Sequence, residues 1–239
     1  MNFLEKNFKL LAAGCTGLLL IGLIWMFSIS QAKNKEIEVQ EKFAKLEANF
    51  GKYKDDLNQL NASVKSKAVK AVADKKTDAD FELAIMAAKT KLLTDLEMFI
   101  SSNEKNVATS MAGLFLSELL MSDKKINEAL AVLNKVKGQT NDLTSILVQK
   151  KIGALLADNN QCDEAMKIWN DILKIKTARF AYSEVKILQS LCYQKNNDLV
   201  KAEEILNTIK NDKSEGSADS AQHAEKILRL IHFKKASGT

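Results

Sequence analysis

Residues 117–136 (SELLMSDKKINEALAVLNKV), 153–172 (GALLADNNQCDEAMKIWNDI) and 190–209 (SLCYQKNNDLVKAEEILNTI) are one pattern written three times. Ala129, Ala165 and Ala202 stand at intervals of 36 and then 37 residues. Twelve positions before each alanine is a small residue (Ser117, Gly153, Ser190), and nine before is a large one (Leu120, Leu156, Tyr193). Four after come Leu133, Trp169 and Leu206; seven after come Val136, Ile172 and Ile209. A period in this range marks stacked helix–turn–helix units. Such units touch only their neighbours and build extended surfaces for binding other proteins. The alanine and the small residue let the two helices of a unit approach, while the large residues fill space against the next unit.

First helices are expected at 109–121, 144–157 and 181–194, and second helices at 128–137, 163–174 and 201–211. Ser122-Asp123-Lys124, Asp158-Asn159-Asn160 and Asn196-Asn197-Asp198 form the turns, because such side chains bond their own backbone and start a helix. Gly138 is a helix C-cap candidate, and Gly216 separates a last helix, 218–234. Ala224, Ile227, Leu228 and Ile231 share one side of it; Lys226, Arg229, Lys234 and Lys235 suit the polar outer face of a cap.

Composition agrees with helix throughout. The 239 residues include no proline and nine glycines, and 46% of them are apolar, which excludes wholesale disorder. The net charge of +5 is spread along the chain, and Arg179 and Arg229 are its sole arginines. Fork-like recognition of bases and phosphates favours arginine, so nucleic acid is not an expected partner.

Before the repeats lies a different chemistry. Leu10 to Ala32 carries no charge over 23 residues, whereas about 20 helical residues cross a bilayer core. Trp25 and Phe27 suit an interfacial belt, and the run exceeds the 7–15 residues of a signal-peptide core. A cleaved lipoprotein signal ending at Cys15 is disfavoured, since most of the apolar run follows that cysteine. Lysines on both flanks lean toward a cytoplasmic C-terminal side, but long domains translocate largely regardless of charge.

From 36 to about 73 one helix is expected, with Val39, Phe43, Leu46, Phe50, Tyr53, Leu57, Leu60 and Val64 as its seam. A second, 80–101, carries Phe81, Ile85, Ala88, Leu92, Leu96 and Phe99 on one face. An intramolecular hairpin buries both seams; a coiled-coil homodimer through Val39–Val64 is the alternative. Gly51 marks a possible bend. Leu92, Leu96 and Phe99 repeat the spacing of Ala129, Leu133 and Val136, as half of a degenerate unit would.

The small-residue and alanine columns over 107–212 resemble the tetratricopeptide repeat. Units of 36–37 rather than 34 residues, and the missing closing proline, depart from it. With the single span and hairpin, the chain resembles the YfgM-like family of membrane-anchored tetratricopeptide proteins, ancillary subunits of the Sec translocon. Phe3-Leu4-Glu5-Lys6-Asn7 is similar to that family's short entry segment. The resemblance implies a single-pass protein of the bacterial inner membrane with a periplasmic repeat domain. It also implies translocon subunits and exported polypeptides as partners, and a chaperone-like role. The expected fold is all-α: a head (1–9), a transmembrane helix (10–32), a hairpin or half-repeat (33–106), a tetratricopeptide-like α-solenoid (107–217) and a capping helix with tail (218–239).

No catalytic constellation is visible. The chain has no Gly-rich phosphate loop, Gly-x-Ser-x-Gly, His-Glu-x-x-His or Cys-x-x-Cys. His223 and His232, nine residues apart, face opposite sides of a helix and cannot share a metal. No enzymatic activity, metal or cofactor is expected. Cys162, in the turn of the second unit, and Cys192, late in the first helix of the third, lie on one edge of a stack. They are either a disulfide stapling the two units in an oxidising compartment or two buried thiols. First helices line the concave side, which places Met111, Leu114, Glu118, Met121, Leu147, Lys150, Ala154, Ile187, Leu191 and Gln194 in a candidate protein-binding groove. Its Met and Leu content suits adaptable contact with apolar helices or unfolded segments.

Overall fold

The computed structural model describes residues 35–63, 75–138, 142–212 and 218–237. Among them every regular element is helical. The chain forms two compact units, Met1–Asn49 and Phe50–Thr239. Residues 35–49 of the first are helical, with Lys42 paired to Glu38 one turn away at 2.7 Å. The Leu10–Ala32 segment lies outside the described residues. Among those described, no helix is long and apolar enough to cross a membrane.

The second unit opens with helical residues 50–63 (α1), and the chain is helical through Gly51, where no bend was needed. There follow α2 (Lys75–Ser102), α3 (Val107–Ser122), α4 (Ile126–Val136), α5 (Leu143–Asp158) and α6 (Cys162–Ile172). A 3-10 helix (Lys176–Ala181) precedes α7 (Tyr182–Lys195), α8 (Leu199–Lys210) and α9 (Ala218–Ser237). The 3-10 segment went unanticipated. It buries Ala178 and Ala181 beside Trp169, which lengthens the second connection without breaking the core.

α3–α4, α5–α6 and α7–α8 are antiparallel neighbours, each packed on the next, and α3, α5 and α7 also touch in succession. α9 meets α8 and α7 as α7 meets α6 and α5. The turns within the pairs share one geometry. Lys124, Asn160 and Asn197 have φ of 60°, 63° and 60°, the left-handed region. The amide after each returns to the carbonyl of Leu120, Leu156 or Tyr193, at 3.0, 2.8 and 2.8 Å. The left-handed residue itself bonds Met121, Ala157 or Gln194, completing a Schellman closure in all three units. The large residue nine before each alanine is therefore also the carbonyl that closes its helix.

Asparagine tolerates this backbone readily, whereas Lys124 adopts it at a steric cost. Lys124→Gly should relieve about 1–2 kcal/mol of strain and lose about 0.5–1 to chain entropy, a net gain of roughly 0.5–1 kcal/mol. A melting temperature unmoved or lowered, when a rise of about 2 °C is expected, would contradict this account.

Helix starts use side chains where the loop frees them. Asn106 accepts from the Thr109 amide while Thr109 accepts from the Asn106 amide, both at 2.8 Å, a reciprocal cap for α3. Asp142 caps α5 through the Ser145 amide at 2.9 Å, and Asp198 caps α8 through Lys201 at 3.1 Å. The Lys201 ammonium, 2.9 Å from Asp198, chiefly holds that carboxyl below the usual range, and the Lys201 amide adds to the effect.

In the core, Ala129, Ala165 and Ala202 have no exposed surface, and neither do Leu133, Trp169 and Leu206. The large residues do more than face the next unit. A Cβ on Gly153 would stand 2.3 Å from Trp169 Nε1, so the indole lies directly on that glycine within its own pair. Trp169 also shares a cluster with Ala178, Ala181 and Val185 of the following unit. Val136 covers Gly113 in the same way, at 2.4 Å, a close approach the small-residue column did not include.

Two helical faces differ from expectation. On α2, Ile85, Leu92, Leu96 and Phe99 are buried, but Ala88 is exposed. Lys89 turns inward instead, because its ammonium pairs with Asp123. The outer face of α9 is not purely polar: Leu230 and Phe233 are 68% and 75% exposed among the basic residues.

Candidate protein-binding face

The first-helix face is built by α3, α5 and α7. These helices touch in succession, and Gly113 and Gly153 let α3 and α5 close on their own partner helices. Met111, Leu114 and Met121 on α3 are half-buried, as are Leu147, Lys150 and Ala154 on α5 and Gln194 on α7. Glu118 and Leu191 are exposed, Leu191 to 44%.

Ile187 does not belong to this face. It is 4% exposed and packs with Ala202, Leu206, Ile209 and the buried side of α9. The helical wheel places it beside Leu191, but α9 docks at the end of the stack and removes it from solvent. At the other end α1 occupies part of the same face. Phe50 stacks on Phe115 with ring centroids 4.4 Å apart, and Lys54 pairs with Glu118. A homodimer through the Val39–Val64 seam would therefore have to withdraw Phe50 and Tyr53, 7% and 6% exposed, from the interior of this chain.

The remaining charge on the face is neutralised across helices. Lys150 of α5 binds Glu184 of α7 at 2.5 Å. What stays available is a shallow strip of methionine and leucine side chains broken by closed ion pairs. Such a strip can hold an apolar segment, and its charged groups Glu118, Lys150 and Glu184 are each held in an ion pair. Among the described residues no three His, Cys, Asp or Glu side chains are grouped to hold a metal. His223 is exposed on α9, and His232 lies 3.5 Å from Glu203.

Cys162, the first residue of α6, and Cys192 of α7 are joined, with sulfurs 2.09 Å and Cα atoms 5.7 Å apart. Lys195 adds a second tie between the same units by donating to the Ala157 carbonyl at 2.8 Å. The bridge locks the α5–α6 pair to α7 at the turn edge, so the central and last thirds of the face keep one relative orientation. No protein-family model, characterised protein or solved structure matches the chain.

Proposed function

We propose that this chain is a membrane-anchored protein-interaction module of the tetratricopeptide type, without catalysis of its own. In this reading it resembles the YfgM-like ancillary subunit of the Sec translocon and assists exported polypeptides from the periplasmic side of the bacterial inner membrane. The observation that carries it is the disulfide between successive helix pairs beside a Met- and Leu-rich strip. Disulfides persist in oxidising compartments and are rare in the cytosol, which supports an extracytoplasmic repeat domain. Helix pairs stacked by neighbour contacts are the architecture of surfaces that bind other chains. The uncharged run Leu10–Ala32 supplies the anchor for such a placement.

A topology reporter fused after Thr239 should be active only outside the cytoplasm, and photocrosslinkers at Leu114 and Leu191 should capture exported or translocon chains. Reporter activity confined to the cytoplasm would refute the periplasmic placement and the translocon role together.

A further inference from the structure

α2 presents an exposed stripe whose chemistry is more apolar than its residue names suggest. Leu83, Met86 and Met98 are 66%, 60% and 58% exposed, and Thr90 and Thr94 stand between them on the same side of the helix. Neither threonine hydroxyl needs an outside partner. Thr90 donates to the Met86 carbonyl at 3.0 Å and Thr94 to the Thr90 carbonyl at 3.2 Å. With the hydroxyls turned onto the helix backbone, the threonines show methyl groups to solvent. From Leu83 to Met98 the stripe runs about 22 Å at 1.5 Å per residue.

The C-terminal end of the stripe borders a groove of 560 Å³ between α2 and α4. Leu116 and Ile100, 1% and 7% exposed, lie at its base. One wall carries Glu97 and the other Lys135, and among the described residues neither is in an ion pair. This is the second-helix side, away from the strip on α3, α5 and α7.

We infer that the α2–α4 groove and the stripe leading into it dock the apolar face of an amphipathic helix from a partner protein. The inference rests on the reading of the chain as a protein-interaction module. An apolar stripe of about four turns fits helix-in-groove recognition, in which residues at i, i+3, i+4 and i+7 anchor the ligand. Met98 at one end and Met86 a turn in from the other adapt to varied side chains. The two unpaired walls specify charge as well as shape: a basic residue on the flank toward Glu97 and an acidic one on the flank toward Lys135.

The probe is a fluorescein-labelled 18-residue amphipathic helix of Leu, Ala, Lys and Glu, titrated with the full chain and read by polarisation. Met98→Glu and Thr94→Glu should each weaken binding at least tenfold with unchanged helicity and melting temperature, while Leu191→Glu stays within twofold. Glu97→Lys should weaken the peptide carrying lysine on that flank and be rescued by a peptide carrying glutamate there. Absence of binding to the unsubstituted chain overturns the groove, as does affinity indifferent to Met98→Glu and Thr94→Glu. Loss confined to Leu191→Glu returns docking to the first-helix face, overturning this site while leaving the interaction-module reading intact. A dimer in sedimentation that Met98→Glu dissociates assigns the face to a second copy and overturns the partner helix.

Discussion

Gly153→Ala is expected to lower the unfolding free energy by about 2–3 kcal/mol, a large loss for one methyl group. The added carbon would meet Trp169 Nε1, Cε2 and Cδ1 at 2.3, 2.8 and 2.9 Å, all below the closest approach real Cβ atoms make. The ring cannot swing clear, because Trp169 has no exposed surface and is enclosed by Ile146, Ala165, Ala178 and Val185. Either the indole leaves its rotamer or α5 and α6 separate, and both loosen the middle pair of the stack. Trp169→Leu introduced together with Gly153→Ala should recover more than 1 kcal/mol, since leucine vacates the space the new methyl needs. It also removes an indole N–H that is buried without an acceptor among the described residues. Gly51→Ala is the control: no atom lies within 4 Å of its Cβ position, so it should stabilise its helix by up to about 1 kcal/mol. Urea unfolding of the unsubstituted chain, Gly153→Ala, Trp169→Leu, their double and Gly51→Ala measures this, and additive costs for the Gly153 and Trp169 changes would show that the two do not share one space.

Opening the Cys162–Cys192 bridge is expected to cost about 3.5 kcal/mol, from the chain entropy returned to an unfolded loop closed across 30 residues. For a domain of this size the loss corresponds to roughly 10 °C in melting temperature. Reductant and the Cys162→Ser, Cys192→Ser double substitution should give the same shift. Reductant should then have no further effect on the substituted protein. Because the bridge ties α6 to α7, amide exchange should rise first in α7, α8 and α9 when it is opened. A non-reducing peptide map with both thiols free, in protein taken from its own compartment, would refute the staple and remove the chief support for an extracytoplasmic domain.

Much of this architecture was legible along the chain because its causes are local. The 36- and 37-residue alanine intervals place three helix pairs, and Lys124, Asn160 and Asn197 fall on the same intervals as their turns. Helix ends follow from caps within three residues, such as Asn106 with Thr109 and Asp142 with Ser145. The first-helix face was legible as a helical stripe, but its occupancy was not. Ile187 lies with Leu191 on a wheel, and only the docking of α9 removes it. Likewise Glu118 reads as an open acid until α1 brings Lys54 beside it.

Helical content, the three pairs, their turns and the small residues that let the pairs close follow from residue order alone, since each depends on periodicity and neighbouring backbone. Tertiary structure decided that Trp169 lies on Gly153, that Cys162 meets Cys192, and that Lys89 faces in while Ala88 faces out. It also decided that Leu230 and Phe233 remain uncovered, and that α2 and α4 enclose a groove beside Met98. Those features are set by which surfaces meet across tens of residues and by where each hydroxyl or ammonium finds its partner. No spacing along a single helix encodes that outcome.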